Sequence, residues 1–372
     1  MDNIISDKYT NFDKAITYVK QYLNDIVLLL VVKMKSSYNY QDQYDVATEF
    51  FSEEELSDYI EAFDMLGIYH DISYGEDDFI HKINCNYFDK YKHKYIIVFN
   101  TTGSKRIRSK SALIPAVCEM IGFKYASSDI MTCSILENKI HANSLLDYHG
   151  FPVPSSWYFY PKYGWMGNAP AHDQKLIIKP CSESASIGIT QKSVGYYSNE
   201  FESLVHEVCD TLREPVIVQE FIDGWEVEVP ILYVEEKIAL PPMGIELNKA
   251  KYLKENFLSF EMVFSDDYDY YRFDQINPKV AQQIQKIAED SSRILDLRGT
   301  VRADFRVNDK GQCFITDYNN SPHLTRFHSV AKSLMSLGFQ YADLFCLILY
   351  NALNDNIKNH SIFEGQRTNR LF

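Results

Sequence analysis

Along the chain the apolar positions switch between a short and a helical period, and the switches mark the elements. An unbroken apolar run, Ile26–Val32, predicts a strand buried on both faces. Acidic and apolar positions recur at helical spacing over Glu53–Leu66. Tyr95–Asn100 is a second buried strand, ending at Thr101-Thr102-Gly103 and followed by a basic run over 105–110. Ligands of open α/β sheets sit at the carboxyl ends of strands, so this loop is a candidate substrate wall, with a solvated basic loop as the plain alternative. The stretch 111–121 reads as a helix in spite of Pro115, and residues 1–24 as an irregular or helical preface. Strand and helix alternate here as in a small open α/β domain.

Further on, 134–149 predicts one helix closed by Gly150. Lys175–Pro180 is a strand that ends in a lysine, followed at once by small residues over 182–188. The N–H groups of such a loop can approach a phosphate closely. It lacks the glycine and lysine spacing of a P-loop. Strands over 215–222 and 225–232 flank an Asp223-Gly224 turn. An irregular stretch carries Lys251 and Tyr252, a helix covers 277–295, and a last helix covers 341–353.

The stretch 299–325 holds the most chemistry. Two β-rich runs flank a turn at Asn308, Asp309, Lys310 and Gly311, which predicts a hairpin. The expected register puts Arg302 opposite Asp317 and Asp304 opposite Ile315. Arg302, Asp304, Asp317 and Asn319 then share one face. Ala303, Phe305, Phe314 and Thr316 line the other. Two acids, an amide and an arginine on one side of an apolar hairpin are costly to fold unless something uses them. Hard oxygen donors suit Mg²⁺, which takes few protein ligands and completes its shell with phosphate and water. The competing reading is an Arg302–Asp317 ion pair on a solvated face.

Length and composition narrow the class. The 372 residues are too many for one average domain. With 46% hydrophobic residues, 27 Tyr and 23 Phe, the chain can bury a sizeable core. The net charge of −14 argues against a general nucleic-acid binder and leaves room for a local nucleotide site. The seven cysteines form no C-x-x-C pair and read as reduced thiols of a cytoplasmic protein. No apolar run is long enough to span a membrane, and no targeting segment is evident.

In order, the pieces are a lysine in a helix, a strand ending Lys-Pro, a small-residue loop, Gln-Glu-Phe-Ile-x-Gly-x-Glu, Lys-Tyr-Leu, Arg-x-Asp and Asp-x-Asn-x-x-Pro. Over roughly 128–330 this order resembles the ATP-grasp superfamily, and within it the D-alanine–D-alanine ligases. The resemblance implies an α+β / α/β fold of three domains, bounded at 1–127, 128–214 and 215–372, with ATP between the second and third. It implies a small-molecule carboxylate activated by ATP as an acyl phosphate and attacked by an amine, such as an amino acid, without nucleic-acid or membrane partners. Homodimers are common in the family.

The family's functional positions carry over one by one. Lys139 and Lys179 match lysines at the ATP phosphates, and the loop 182–188, with Glu183 and Ser186, closes over them. Gln219, Glu220 and Ile222 match the hinge that reads adenine, and Glu226 the acid on the ribose. Asp304, Asp317 and Asn319 match the ligands of two Mg²⁺ ions, with Mn²⁺ an alternative metal. Arg302 matches the residue that stabilises the oxyanion of the tetrahedral intermediate. Lys251 and Tyr252 match a pair on the loop that covers the site. On the substrate side the chain departs from the family. The glycine-rich, Glu-containing segment is missing after Val32, Ala185 replaces a serine, His323 a glycine, and His328 a serine that binds a carboxylate, with Ser329 next to it. His328 reads as an anion ligand, as a proton acceptor for the amine, or as a structural histidine. These departures lead to the expectation of a carboxylate–amine ligase whose substrates are not two D-alanines. The alternatives are a D-alanine–D-alanine ligase with a diverged first domain, or a nucleotide-binding protein that does not ligate.

Overall fold

The computed structural model describes residues 8–37, 50–103, 108–184, 186–265 and 267–363, in which three sheets follow one another along the chain. The first is parallel, with strand order β2-β1-β3-β4, built from β1 (Ile26–Val32), β2 (Tyr69–Tyr74), β3 (Tyr95–Asn100) and β4 (Lys124–Tyr125). Its central strand shows why the first apolar run is unbroken. Ile26, Leu28, Leu30 and Val32 face one core, which includes the helices Thr10–Lys20 and Tyr341–Phe363. Val27, Leu29 and Val31 face the other, with Phe79, Phe88 and Ile114. Both faces are covered, as parallel sheets require. Pro115 is tolerated because the helix starts at Leu113, which puts the proline in the first turn, where its missing N–H leaves no bond unmade.

The second sheet runs β6-β5-β9-β7-β8, from β5 (Ser156–Tyr160), β6 (Gly164–Trp165), β7 (Lys175–Pro180), β8 (Val194–Tyr196) and β9 (Val216–Glu220). The third comprises β10 (Trp225–Val234), β11 (Glu236–Ala239), β12 (Met243–Glu246), β13 (Asp269–Arg272), β14 (Thr300–Val307) and β15 (Cys313–Asn319). Its order is β13-β12-β10-β14-β15, with β11 paired to β10, and the helix Pro278–Ile294 packs Val280, Ala281, Ile284 and Ala288 against it.

Two expectations change. The helix read over 134–149 is two helices, Ile130–Leu136 and Lys139–Tyr148. Asn138 leaves the helical conformation and its side chain accepts from His141 N–H, a cap that restarts the helix. The hairpin register also differs. Arg302 pairs with Asn319 and Asp304 with Asp317, while Phe305 pairs with Ile315 and Val307 with Cys313. The turn carries one residue more than expected, and a bulge after Asp304 adds another. Two one-residue slips restore the parity of the pleat. The polar face therefore keeps its four members, whereas beyond the bulge the core face is Cys313 and Ile315 in place of Phe314 and Thr316. Thr316 instead donates through Oγ1 to the Asp304 carbonyl at 3.1 Å.

Candidate active site

A cleft of about 300 Å³ is lined by residues from all three sheets. Asn100 to Gly103, at the carboxyl end of β3, form part of its wall. Of the basic run, Lys110 also lines it, and 105–107 lie outside the described residues.

On the second-sheet side stand two buried lysines. Lys139, first in its helix, lies 3.0 Å from Asp317 Oδ2 and donates to the Glu183 carbonyl at 2.9 Å. Burial alone favours its neutral form, but Asp317 outweighs it and the ammonium is held above its usual range. Lys179, at the end of β7, donates to the Thr316 carbonyl at 3.0 Å. Burial pushes it down to about 8. The lysines thus hold the small-residue loop and the hairpin together across the cleft. Glu183 pairs with Lys110 at 3.4 Å. Ser186 sits in the left-handed region and donates to the Leu258 carbonyl at 3.1 Å. Ala185 lies outside the described residues.

The hinge follows β9. Gln219, Glu220 and Ile222 line the cleft, as does Glu226 on β10. The Gln219 amide donates to Asn143 and Ser156, both at 3.2 Å, which holds it in the wall. One residue that joins these parts was not singled out from the sequence. Arg306, only 6% exposed, donates to the carbonyls of Ile222, Lys254 and Asn256 and to Glu226 Oε2, at 2.8 to 3.1 Å. Its guanidinium also covers the Phe221 ring, 5.0 Å from the centroid. The signal was present, since Arg306 continues the alternation of Arg302 and Asp304 on one strand.

The hairpin's polar face forms the opposite wall. Arg302 donates through Nε and Nη2 to both oxygens of Asp304, at 2.7 and 2.8 Å, a bidentate pair. Its Nη1 lies 3.2 Å from Glu228 Oε2. Burial disfavours the guanidinium's charge, yet Asp304 and Glu228 hold it firmly ionised. Glu228 is itself only 3% exposed, and burial pushes it up to about 7. It alternates with Glu226 along β10, a pattern that could have marked it.

Among the described residues no three His, Cys, Asp or Glu side chains converge as a metal cage. Asp304 and Asp317 are directly paired across the strands, and Asn319 follows on the same face. Two carboxylates and an amide oxygen fit Mg²⁺ when phosphates complete its shell.

The remaining residues of the sequence reading divide. His323 and His328 line the cleft. Ser329 is fully buried and is not part of the lining. Nor are Lys251 and Tyr252: Lys251 lies over the Tyr271 ring at 4.8 Å, and Tyr252 packs on Trp225 with centroids 4.5 Å apart.

Comparison with known proteins agrees with the geometry. Residues 171–350 match the family model of the D-ala D-ala ligase C-terminus. The chain is 26% identical over 243 residues to the D-alanine–D-alanine ligase of Cupriavidus necator, covering 65% of this chain and 72% of that one. It is 28% identical over 259 residues to the corresponding ligase of Acidovorax ebreus, covering 68% and 74%. The fold matches the D-alanine–D-alanine ligase of Bacillus anthracis solved with ATP, with a TM-score of 0.64 at 15% identity over 90% of this chain and 99% of that one. It also matches the VanG D-Ala:D-Ser ligase of Enterococcus faecalis, with a TM-score of 0.62 at 19% identity over 88% and 99%. Over residues 171–350 the chain is similar to the D-alanine–D-alanine ligases, and it has the ATP-grasp fold of the solved ligases; this similarity supports an ATP-dependent ligase that forms carbon–nitrogen bonds.

Proposed function

We propose that the protein joins the carboxylate of one amino-acid-like substrate to the amine of another through an acyl phosphate, and that the pair is not two D-alanines. The observation that carries the ligation is the meeting of Lys139 and Lys179 with Arg302, Asp304, Asp317 and Asn319 around one cleft. In this reading the lysines offset the crowded charge of the ATP phosphates. Asp304, Asp317 and Asn319 would hold two Mg²⁺ ions, which when bound would supply positive charge beside the phosphates. Arg302 donates to the oxyanion formed on attack by the amine. The hinge and Glu226 take the adenine and ribose.

The substrate side supports the second half of the proposal. Glu55, Glu228, His323 and His328 line the same cleft, and a row of bulky charged and aromatic groups is a poor mould for a methyl side chain. A second reading, ligation of two D-alanines, is favoured by the names of the relatives above. We place the enzyme in the cytoplasm, where ATP is available and its free thiols stay reduced.

The test is phosphate release from ATP and Mg²⁺ across a matrix of D- and L-amino acids and small carboxylates, with mass spectrometry of the product. Release that needs one pair, with a product equal to the pair minus water, establishes the ligase and its substrates. Full turnover on D-alanine alone establishes the second reading instead.

A further inference from the structure

Beyond the lysines, the cleft ends in a row of side chains drawn from two distant parts of the chain. Glu55 belongs to the helix Glu53–Leu66 and also closes its capping box, accepting from Ser52 N–H at 2.7 Å. Its Oε1 lies 3.4 Å from Nδ1 of His323, close enough to pair charges though off the line of a hydrogen bond. The His323 ring stacks on Phe51, with centroids 5.8 Å apart, and on His328, at 5.0 Å with 26° between the planes. His328 completes the row, its Nδ1 2.6 Å from Thr325 Oγ1. Phe51, Glu55, His323 and His328 share the wall of the cleft with Arg302, Asp304 and Asn319.

The two histidines are not equivalent. Burial, and then the neighbouring His323, push His328 down to about 3, so its imidazole stays neutral. One of its nitrogens is already engaged by Thr325. His323 has a carboxylate beside Nδ1, and its Nε2 has no hydrogen-bond partner among the described residues. Burial opposes the ionisation of Glu55, but His323, the Ser52 N–H and Lys35 outweigh it and hold the carboxyl below its usual range. Around the pair, Lys35 lies 3.4 Å from Glu55 Oε2, Asp58 is held by Arg326, and Arg302 is held by Asp304 and Glu228. Glu55, whose Oε2 is taken by Ser52 and Lys35, therefore offers its Oε1 as the carboxylate oxygen placed to balance a charge on His323.

We propose that His323 is the base that takes the proton of the incoming amine, with Glu55 as its positioning residue. The proposal rests on the acyl-phosphate reading above. The amine lone pair attacks the acyl carbon and the carbon–nitrogen bond forms. The carbon–oxygen bond to the phosphoryl group breaks, and phosphate leaves with that electron pair. His323 Nε2 takes the proton that turns the incoming ammonium into an amine before the attack, the Glu55 carboxylate balances the imidazolium, and the second proton lost by nitrogen leaves with the phosphate.

The experiment compares two acceptors, using a panel of D- and L-amino acids as the carboxylates. Hydroxylamine is largely unprotonated at neutral pH and captures acyl phosphates without help from a base. An amino-acid amine arrives as an ammonium and needs one. His323→Gln is expected to keep ATP-dependent hydroxamate formation and to lose amide kcat by roughly 10²- to 10⁴-fold. Glu55→Gln is expected to keep hydroxamate formation and to move the acid limb of the amide kcat profile to lower pH, a shift that a purely structural role does not produce. Amide kcat within a few fold of wild type in His323→Gln, a change confined to KM, or equal loss with both acceptors overturns the proposal. Absence of hydroxamate from the wild-type protein overturns the acyl-phosphate reading, and this proposal with it.

Discussion

Arg306→Met probes how the segment after β9 is tied to the β14–β15 hairpin. The guanidinium donates to Glu226 and to the carbonyls of Ile222, Lys254 and Asn256. Lys254 O keeps a second donor, the Gly224 N–H at 3.1 Å, and Glu226 Oε2 keeps the Leu258 N–H at 3.3 Å. The Ile222 and Asn256 carbonyls have no other donor among the described residues. Removing one partner of a buried, hydrogen-bonded charge pair costs about 3–5 kcal/mol. At about 1.4 kcal/mol per decade, this opens the segment at least about 10²-fold more often. The assay is native-state hydrogen exchange at the Leu253, Asn256 and Leu258 amides, read beside the ATP Kd. Faster exchange confined to these amides, with weaker ATP binding, is expected. A double-mutant cycle with Glu226→Gln should give a coupling of roughly 0.5–3 kcal/mol. Exchange unchanged in Arg306→Met, or a coupling of zero, refutes the reasoning.

Three further outcomes follow from the geometry. Burial holds the Lys179 ammonium down to about 8, so its charge is lost as pH rises through that value; ATP affinity should fall above pH 8 by up to about tenfold per unit, and a calorimetric slope unchanged in Lys179→Gln contradicts this. Arg302→Lys keeps a charge but loses the fork that grips both Asp304 oxygens; turnover should drop roughly 10²- to 10³-fold with ATP binding retained, as separate turnover and binding assays would show. At Gly224, φ is +159° and an added Cβ would lie 1.8 Å from the Val307 carbonyl oxygen. Gly224→Ala must therefore push β10 from β14, and a thermal melt should fall by several degrees; an unchanged melt means the strands can separate freely.

The sequence reveals most where one period runs unbroken. The unbroken apolar run of β1 reports two buried faces and the helical spacing over Glu53–Leu66 reports one, and both elements form as read. The boundary at Asn138 was hidden because the apolar pattern of the two short helices joins smoothly, while the cap acts through one side chain. The hairpin's polar face was legible, and its register was not. Parity survives a two-residue offset, so pattern alone cannot detect a bulge beside a longer turn. Lys139 and Lys179 were legible as motif positions. Arg306 was marked only by the alternation on its strand, and its role was hidden because three of its four partners are backbone carbonyls, which carry no residue type. Glu55 was hidden by distance: it is a capping acid by local pattern and reaches His323 only through the tertiary fold.

The central claim is that a carboxylate is activated by phosphoryl transfer at the Arg302–Asp304–Asp317 wall. The direct measurement uses the carboxylate substrate labelled with ¹⁸O in both oxygens, and mass spectrometry of the phosphate released with each amide bond. An acyl phosphate predicts one ¹⁸O in every phosphate, since the carboxylate oxygen leaves with the phosphoryl group. Phosphate free of label, formed at the rate of the amide, contradicts the account.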